Sequence, residues 1–183
     1  MHKSNFHQTA LFAALLAGGL GYATANAASD ALSRSDRDFV EKAAKGGLSE
    51  VELGKLAQEK AANQQVKDFG ARMVQDHTKA NDELKKIASA KSVNIPDQPD
   101  KQAQKEMEKL QKLSGAQFDR EYMKHMVSDH KKDVSEFQKE AKAAKDSELK
   151  NFASTTLPTL QEHLKLAQAA ERATKSDTRS KSK

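Results

Sequence analysis

Four stretches of this chain repeat small and apolar residues at three- and four-residue spacing, and no stretch alternates as a half-buried strand would. The spacing predicts amphipathic helices packed on one another. In the first, Phe39, Ala43, Gly47, Glu50, Gly54, Ala57 and Ala61 share a face; in the second, Val66, Gly70, Met73, His77, Asn81, Leu84 and Ala88 do. The third carries Tyr122, Met126, His130, Val134, Phe137, Ala141 and Ala144, and the fourth Leu149, Phe152, Thr156, Leu160, His163, Ala167 and Ala170. Ser35 and Asp38 read as a capping box at the start, Asn63 breaks the first pair, and Asp146-Ser147 breaks the second. Pro96 and Pro99 end the second helix. A short amphipathic piece with Met107, Leu110 and Leu113, stopping at Ser114-Gly115, is expected as a crossover outside the core. Residues 35–174 thus predict a four-helix bundle with a short crossover helix between two helical hairpins, the relative direction of the middle pair being open.

Each inward stripe contains one strongly polar residue: Glu50, His77, His130 and His163. Asn63 lies midway between Glu50 and His77, and Asp146 midway between His130 and His163, to within one residue. At about 1.5 Å of rise per residue, each hairpin then places its two polar residues at nearly the same depth. The second and third helices also share the segment Met-Val-x-Asp-His-x-Lys, as Met73–Lys79 and Met126–Lys132. Three imidazoles and a carboxylate suit one transition metal ion, iron, zinc, manganese or copper, better than calcium or magnesium. Asn81, Asp133 and Thr159, one turn away, are candidates to accept the outer ring N–H groups. Asp76, Asp129 and Glu162 point about 100° from the histidines they adjoin and read as surface or interhelix charges. Gly46, Gly47 and Gly54 surround Glu50. Each costs roughly 1 kcal/mol against alanine in a helix interior, so close helix approach or room beside Glu50 is expected.

Other readings fit the same residues. The layer can be a metal-free hydrogen-bonded network that sets register, in a structural or stress-related envelope protein acting through partners. Two histidines can ligate haem in a bundle, but the layer would then have to admit the macrocycle beside Glu50. Tyr122 reads as core packing and His125 as exposed. Pro158 predicts a kink or a loosened turn ahead of His163. No nucleophile motif, phosphate loop or dinucleotide fingerprint points to an enzyme class.

The N-terminus predicts export. Lys3 precedes an apolar run from Ala10 to Leu20, and Ala25-Asn26-Ala27 offers a cleavage site, so residues 1–27 read as a signal peptide and the mature chain as periplasmic or secreted. There is no cysteine, so no disulfide staples the fold. The formal charge of +5 does not form a nucleic-acid patch. Lys3 lies in the leader, and residues 175–183 hold Lys175, Arg179, Lys181 and Lys183 against Asp177, a disordered basic tail suited to weak contact with an acidic envelope surface.

The run Ala43 to Ala57, the segments Met73–His77 and Met126–His130, and Thr156-Leu157-Pro158-Thr159-Leu160-Gln161-Glu162-His163-Leu164 resemble the exported bacterial family catalogued as domain of unknown function 4142. The resemblance covers about Ser35 to Ala173. It implies a ferritin-like four-helix bundle, exported, with no established activity and no functional residues to carry over. The wider ferritin-like superfamily pairs Glu-x-x-His around two irons. Here Val74, Val127 and Leu160 stand three residues before the histidines, so the pattern admits a single metal rather than a di-iron centre.

Overall fold

The computed structural model describes residues 31–180, with side chains through residue 175. The predicted signal peptide therefore lies outside the described residues, as do residues 181–183 of the predicted tail. Five helices follow one another: α1 Arg34–Lys60, α2 Gln64–Ala90, α3 Lys101–Gln111, α4 Gly115–Ala143 and α5 Ser147–Ser180. The fold is all-α, as the periodicity predicts, and α5 runs unbroken through Pro158 and on past Lys175.

The helix ends are set by short polar side chains. Ser33, not Ser35, caps α1: its Oγ accepts the Asp36 N–H at 3.1 Å. Asn63 caps α2, Asp100 caps α3, and Asp146 caps α5 through the N–H groups of Glu148 and Leu149. The second helix stops before the prolines. Ser92, at φ 55, takes the left-handed conformation, and Val93 N–H bonds back to the Ala88 carbonyl at 2.8 Å. That is a Schellman ending with serine where glycine is usual.

Helices α1 and α2 pair along their lengths, as do α4 and α5; α2 also lies beside α5, and α1 beside α4. Two aspartates fix the direction of these pairs. Asp119, near the start of α4, accepts the N–H groups of Ala62 and Asn63 in the α1–α2 turn at 3.1 and 2.9 Å. Asp36, near the start of α1, accepts those of Lys145 and Asp146 in the α4–α5 turn at 3.3 and 3.1 Å. Each hairpin thus clamps the turn of the other. Lys91 at the end of α2 pairs with Asp146 and Glu148 beside that second turn. The first and fourth long helices therefore run one way and the middle two the other. This answers the open direction: the crossover spans the bundle, as in ferritin-like arrangements.

The crossover helix is not peripheral. Leu110 is fully buried in the same apolar cluster as Phe118, Tyr122, Met73 and Leu53, with Met107 and Leu113 packed against it. A second cluster, built on Phe39, Val40, Leu84, Phe137, Phe152 and Leu160, fills the other half. Glu50, His77, His130 and His163 lie buried between the two. A polar layer divides the core.

Candidate metal centre

The four long helices carry the layer because the 3.6-residue period places one polar side chain per stripe at mid-bundle. Two glycines let α1 and α2 come close there. A Cβ on Gly54 would lie 2.6 Å from the Gly70 carbonyl oxygen, and one on Gly70 would lie 2.7 Å from that of Gly54. The two backbones touch at this level, as the glycine cluster predicts. A Cβ on Gly47 would meet the Asn81 amide oxygen at 1.9 Å. Asn81 therefore fills that space instead of reaching a histidine.

The three imidazoles face one another. Ring centroids are 5.4 Å apart for His77 and His163, 5.4 Å for His130 and His163, and 5.8 Å for His77 and His130. One ring nitrogen from each lies within 4.8 Å of the others. His77 Nε2, His130 Nε2 and His163 Nδ1 are all buried with no hydrogen-bond partner among the described residues. Two of the opposite nitrogens are held: His130 Nδ1 donates to the Met126 carbonyl at 2.9 Å, and His163 Nε2 donates to Asp76 Oδ2 at 2.8 Å. Those bonds fix the tautomers of His130 and His163, leaving His130 Nε2 and His163 Nδ1 as lone pairs.

One expectation is corrected here. The groups that accept ring N–H are Met126 and Asp76, not Asn81, Asp133 or Thr159. Asp76, one of the three acids read as surface or interhelix charges, reaches across from α2 to α5 and is itself braced by Arg72 at 2.9 Å. Its wheel angle was the available signal, since a residue 100° off the stripe of α2 faces the neighbouring α5.

Burial sets the protonation of the layer. It holds the His77 imidazole well below its ordinary value, with the nearness of His130 and His163 adding to the effect. It lowers His130 likewise and takes His163 to about 4, against the opposing bond to Asp76. The rings are therefore neutral near pH 7, the form that can ligate.

Glu50 lies in the layer but outside the group of mutually close ligand atoms. Its Oε1 is 3.8 Å from His130 Nδ1, a nitrogen already committed to Met126, and neither carboxyl oxygen has a hydrogen-bond partner. Burial, and then the charge of Asp129, push its pKa well up. Tyr122 packs as expected, stacked on Phe118 at 5.4 Å. Its hydroxyl is also unpartnered, and after burial the charge of Glu50 is what raises its pKa. His125 is half-buried rather than exposed, because α3 covers that side of α4.

Fold and site together define a four-helix bundle whose apolar core is interrupted by a buried histidine layer. The chain belongs to the family described as Domain of unknown function (DUF4142), which matches residues 21–170. Two solved structures share the fold. A DUF305 fragment from Deinococcus radiodurans is 11% identical, with a TM-score of 0.69 over 78% of this chain and 99% of that one. A DUF305 protein from Streptomyces coelicolor, inferred in its description to be secreted, is 15% identical, with a TM-score of 0.63 over 76% and 91%. No curated protein matches the chain. No described helix is long and apolar enough to cross a membrane.

Proposed function

We propose that this protein holds one first-row transition-metal ion through His77, His130 and His163, and that it does so outside the cytoplasm as a metal-handling bundle. Two observations carry the reading: one ring nitrogen from each histidine lies within 4.8 Å of the others, and each ring keeps one buried nitrogen without a hydrogen-bond partner among the described residues. A metal-free network would be expected to join these nitrogens to partners; here none of the three has one among the described residues. Leaving a buried polar group unpaired costs roughly 1–3 kcal/mol, so three in one layer ask for an occupant. The outer bonds of His130 and His163 match the carbonyl and carboxylate partners that orient ligating imidazoles. Three nitrogen donors suit zinc, iron, manganese or copper, and a bound ion would supply Lewis acidity and, for iron or copper, redox capacity. Export rests on the leader-like N-terminus and on the description of the Streptomyces relative.

The test is a thermal melt of metal-stripped protein with and without zinc, iron(II), manganese or copper, with elemental analysis of the product. Free metal a hundredfold above its dissociation constant should add about 2.7 kcal/mol, and His130→Ala should remove most of that increment. No metal-dependent shift and no stoichiometric metal would sink the reading. A stability unchanged by chelator but lowered by each histidine substitution would favour the register-setting network.

A further inference from the structure

The helical glycines beside the site do not all have the same reason. Gly47, Gly54 and Gly70 each face an atom that a Cβ would strike, but a Cβ on Gly46 would meet nothing within 4 Å. Packing does not demand glycine at 46, and alanine there would favour the helix by roughly 1 kcal/mol. What Gly46 borders is space. On its outer side lies a groove of about 440 Å³ between α1, α3 and α4, with Asp100, Glu106, His125, Asp129 and Asp133 among its walls. On its inner side lies a cavity of about 30 Å³ between the helices that reaches His77. Gly46 and Asp133 line both, as do Lys42 and Glu136, which pair with each other. A volume of that size admits about one water, and His77, 7% exposed and with an unpartnered Nε2, is in its wall.

Charge along this line suits a cation. In the groove Glu136 pairs with Lys42, Asp129 with Lys132 and Glu106 with Lys109, while Asp100 is occupied in capping α3. Asp133 has no lysine or arginine partner among the described residues. Burial, then the charges of Glu50 and Asp129, hold its carboxyl up to about 8. Near pH 7 that carboxyl keeps its proton, and an arriving cation would favour the ionised form.

We propose that a divalent transition-metal cation reaches the histidines by this route: hydrated into the α1–α3–α4 groove, shedding its water across Gly46 and Asp133, and through the inner cavity to His77. The route rests on the metal-site reading above, and it adds a loading path with named gate residues. Gly46 keeps the passage open. Asp133 offers the carboxylate that takes the ion from the groove and gives up its proton as the ion arrives.

The experiment follows zinc transfer from a colorimetric chelator to metal-stripped full-length protein by stopped flow, with affinity taken from the end point. Gly46→Met places a flexible side chain in the passage without a backbone clash. It should slow loading about tenfold or more, because binding must then wait for the helices to part, while affinity stays within about twofold. Asp133→Asn should also slow loading about tenfold, with the gap from the parent widening as pH rises toward about 8 and the parent carboxyl ionises. Lys86→Met, on the exposed face of α2, should load like the parent. If Gly46→Met and Asp133→Asn load at the parent rate, or if their affinities fall in step with their rates, the route is overturned while the metal site stands. A parent that takes no zinc, iron(II), manganese or copper overturns the site itself, and the route with it.

Discussion

His163 on α5 donates its Nε2–H to Asp76 on α2 at 2.8 Å, and Asp76 is held in turn by Arg72. This chain of three side chains crosses the interface between the two hairpins and leaves Nδ1 of His163, whose ring lies 5.4 Å from those of His77 and His130, without a partner among the described residues. Without the carboxylate the ring would be free to turn or to move its proton onto Nδ1. Asp76→Ala should therefore weaken metal binding by about 10- to 100-fold, the usual cost of losing such an outer partner. Arg72→Ala should cost less, since it leaves the carboxylate in place. Isothermal titration with zinc would measure both, and an Asp76→Ala protein binding like the parent would show that Met126 and packing suffice to orient the layer.

The three histidines and their common depth were legible because helical periodicity and the two turns together fix both face and height. The outer partners were less so. A helical wheel says where Asp76 points relative to its own helix, but only the placement of α5 beside α2 says what it meets. Leu110 escaped for a similar reason: a lone leucine on a short helix looks peripheral until the crossover is laid against α1 and α4. The two turn clamps carried no sequence signal, since Asp36 and Asp119 bond residues far along the chain. Glycine clustering around Glu50 was visible, though only coordinates separate Gly54, which faces a backbone, from Gly46, which faces space.

The metal-free protein should lose stability between pH 6.5 and about 8. Buried histidines with lowered pKa values contribute stability that is complete above their ordinary 6.5 and lost as pH falls, toward about 4 for His163. Carboxyls held high act in the opposite sense. Asp133, raised from 3.8 to about 8, and Glu140, raised from 4.5 to about 7 chiefly by burial and then by Asp36, contribute stability lost as pH rises through those values. Below 6.5 the two sets oppose each other; above it only the carboxyls remain. Urea midpoints at pH 6.5, 7.2 and 8 should fall in that order, and Asp133→Asn should flatten the last step. A midpoint that rises across the window would contradict the assignment.

The two reciprocal clamps should contribute independently. Asp119→Ala strands the N–H groups of Ala62 and Asn63, and Asp36→Ala those of Lys145 and Asp146, each at roughly 1–3 kcal/mol. The pairs sit at opposite ends of the bundle and share no contact, so the double variant should lose close to the sum. Chemical denaturation of the four proteins in the cycle would measure it. A coupling well above about 0.5 kcal/mol would mean that the ends communicate through the polar layer.

Glu50 sets function against stability. Both its oxygens are buried and unpartnered, and its nearest imidazole nitrogen, 3.8 Å away, is already bonded to Met126. In the metal-free protein such a carboxyl is a liability, since burial without partners costs free energy whether the group ionises or keeps its proton. Glu50→Met replaces it with an apolar side chain of similar length that suits a helix, and should raise the metal-free melting temperature. The same substitution removes a carboxyl that a bound cation would favour in its ionised form, beside three neutral donors. Metal should then bind about tenfold or more weakly, still at one ion per chain through the histidines. Melts of the stripped and zinc-saturated variant separate the two effects, for the metal-free curve should move up while the gain on adding zinc shrinks. If Glu50→Met instead destabilises the stripped protein, the carboxyl has a structural partner that the static arrangement does not reveal, and the layer is a network first.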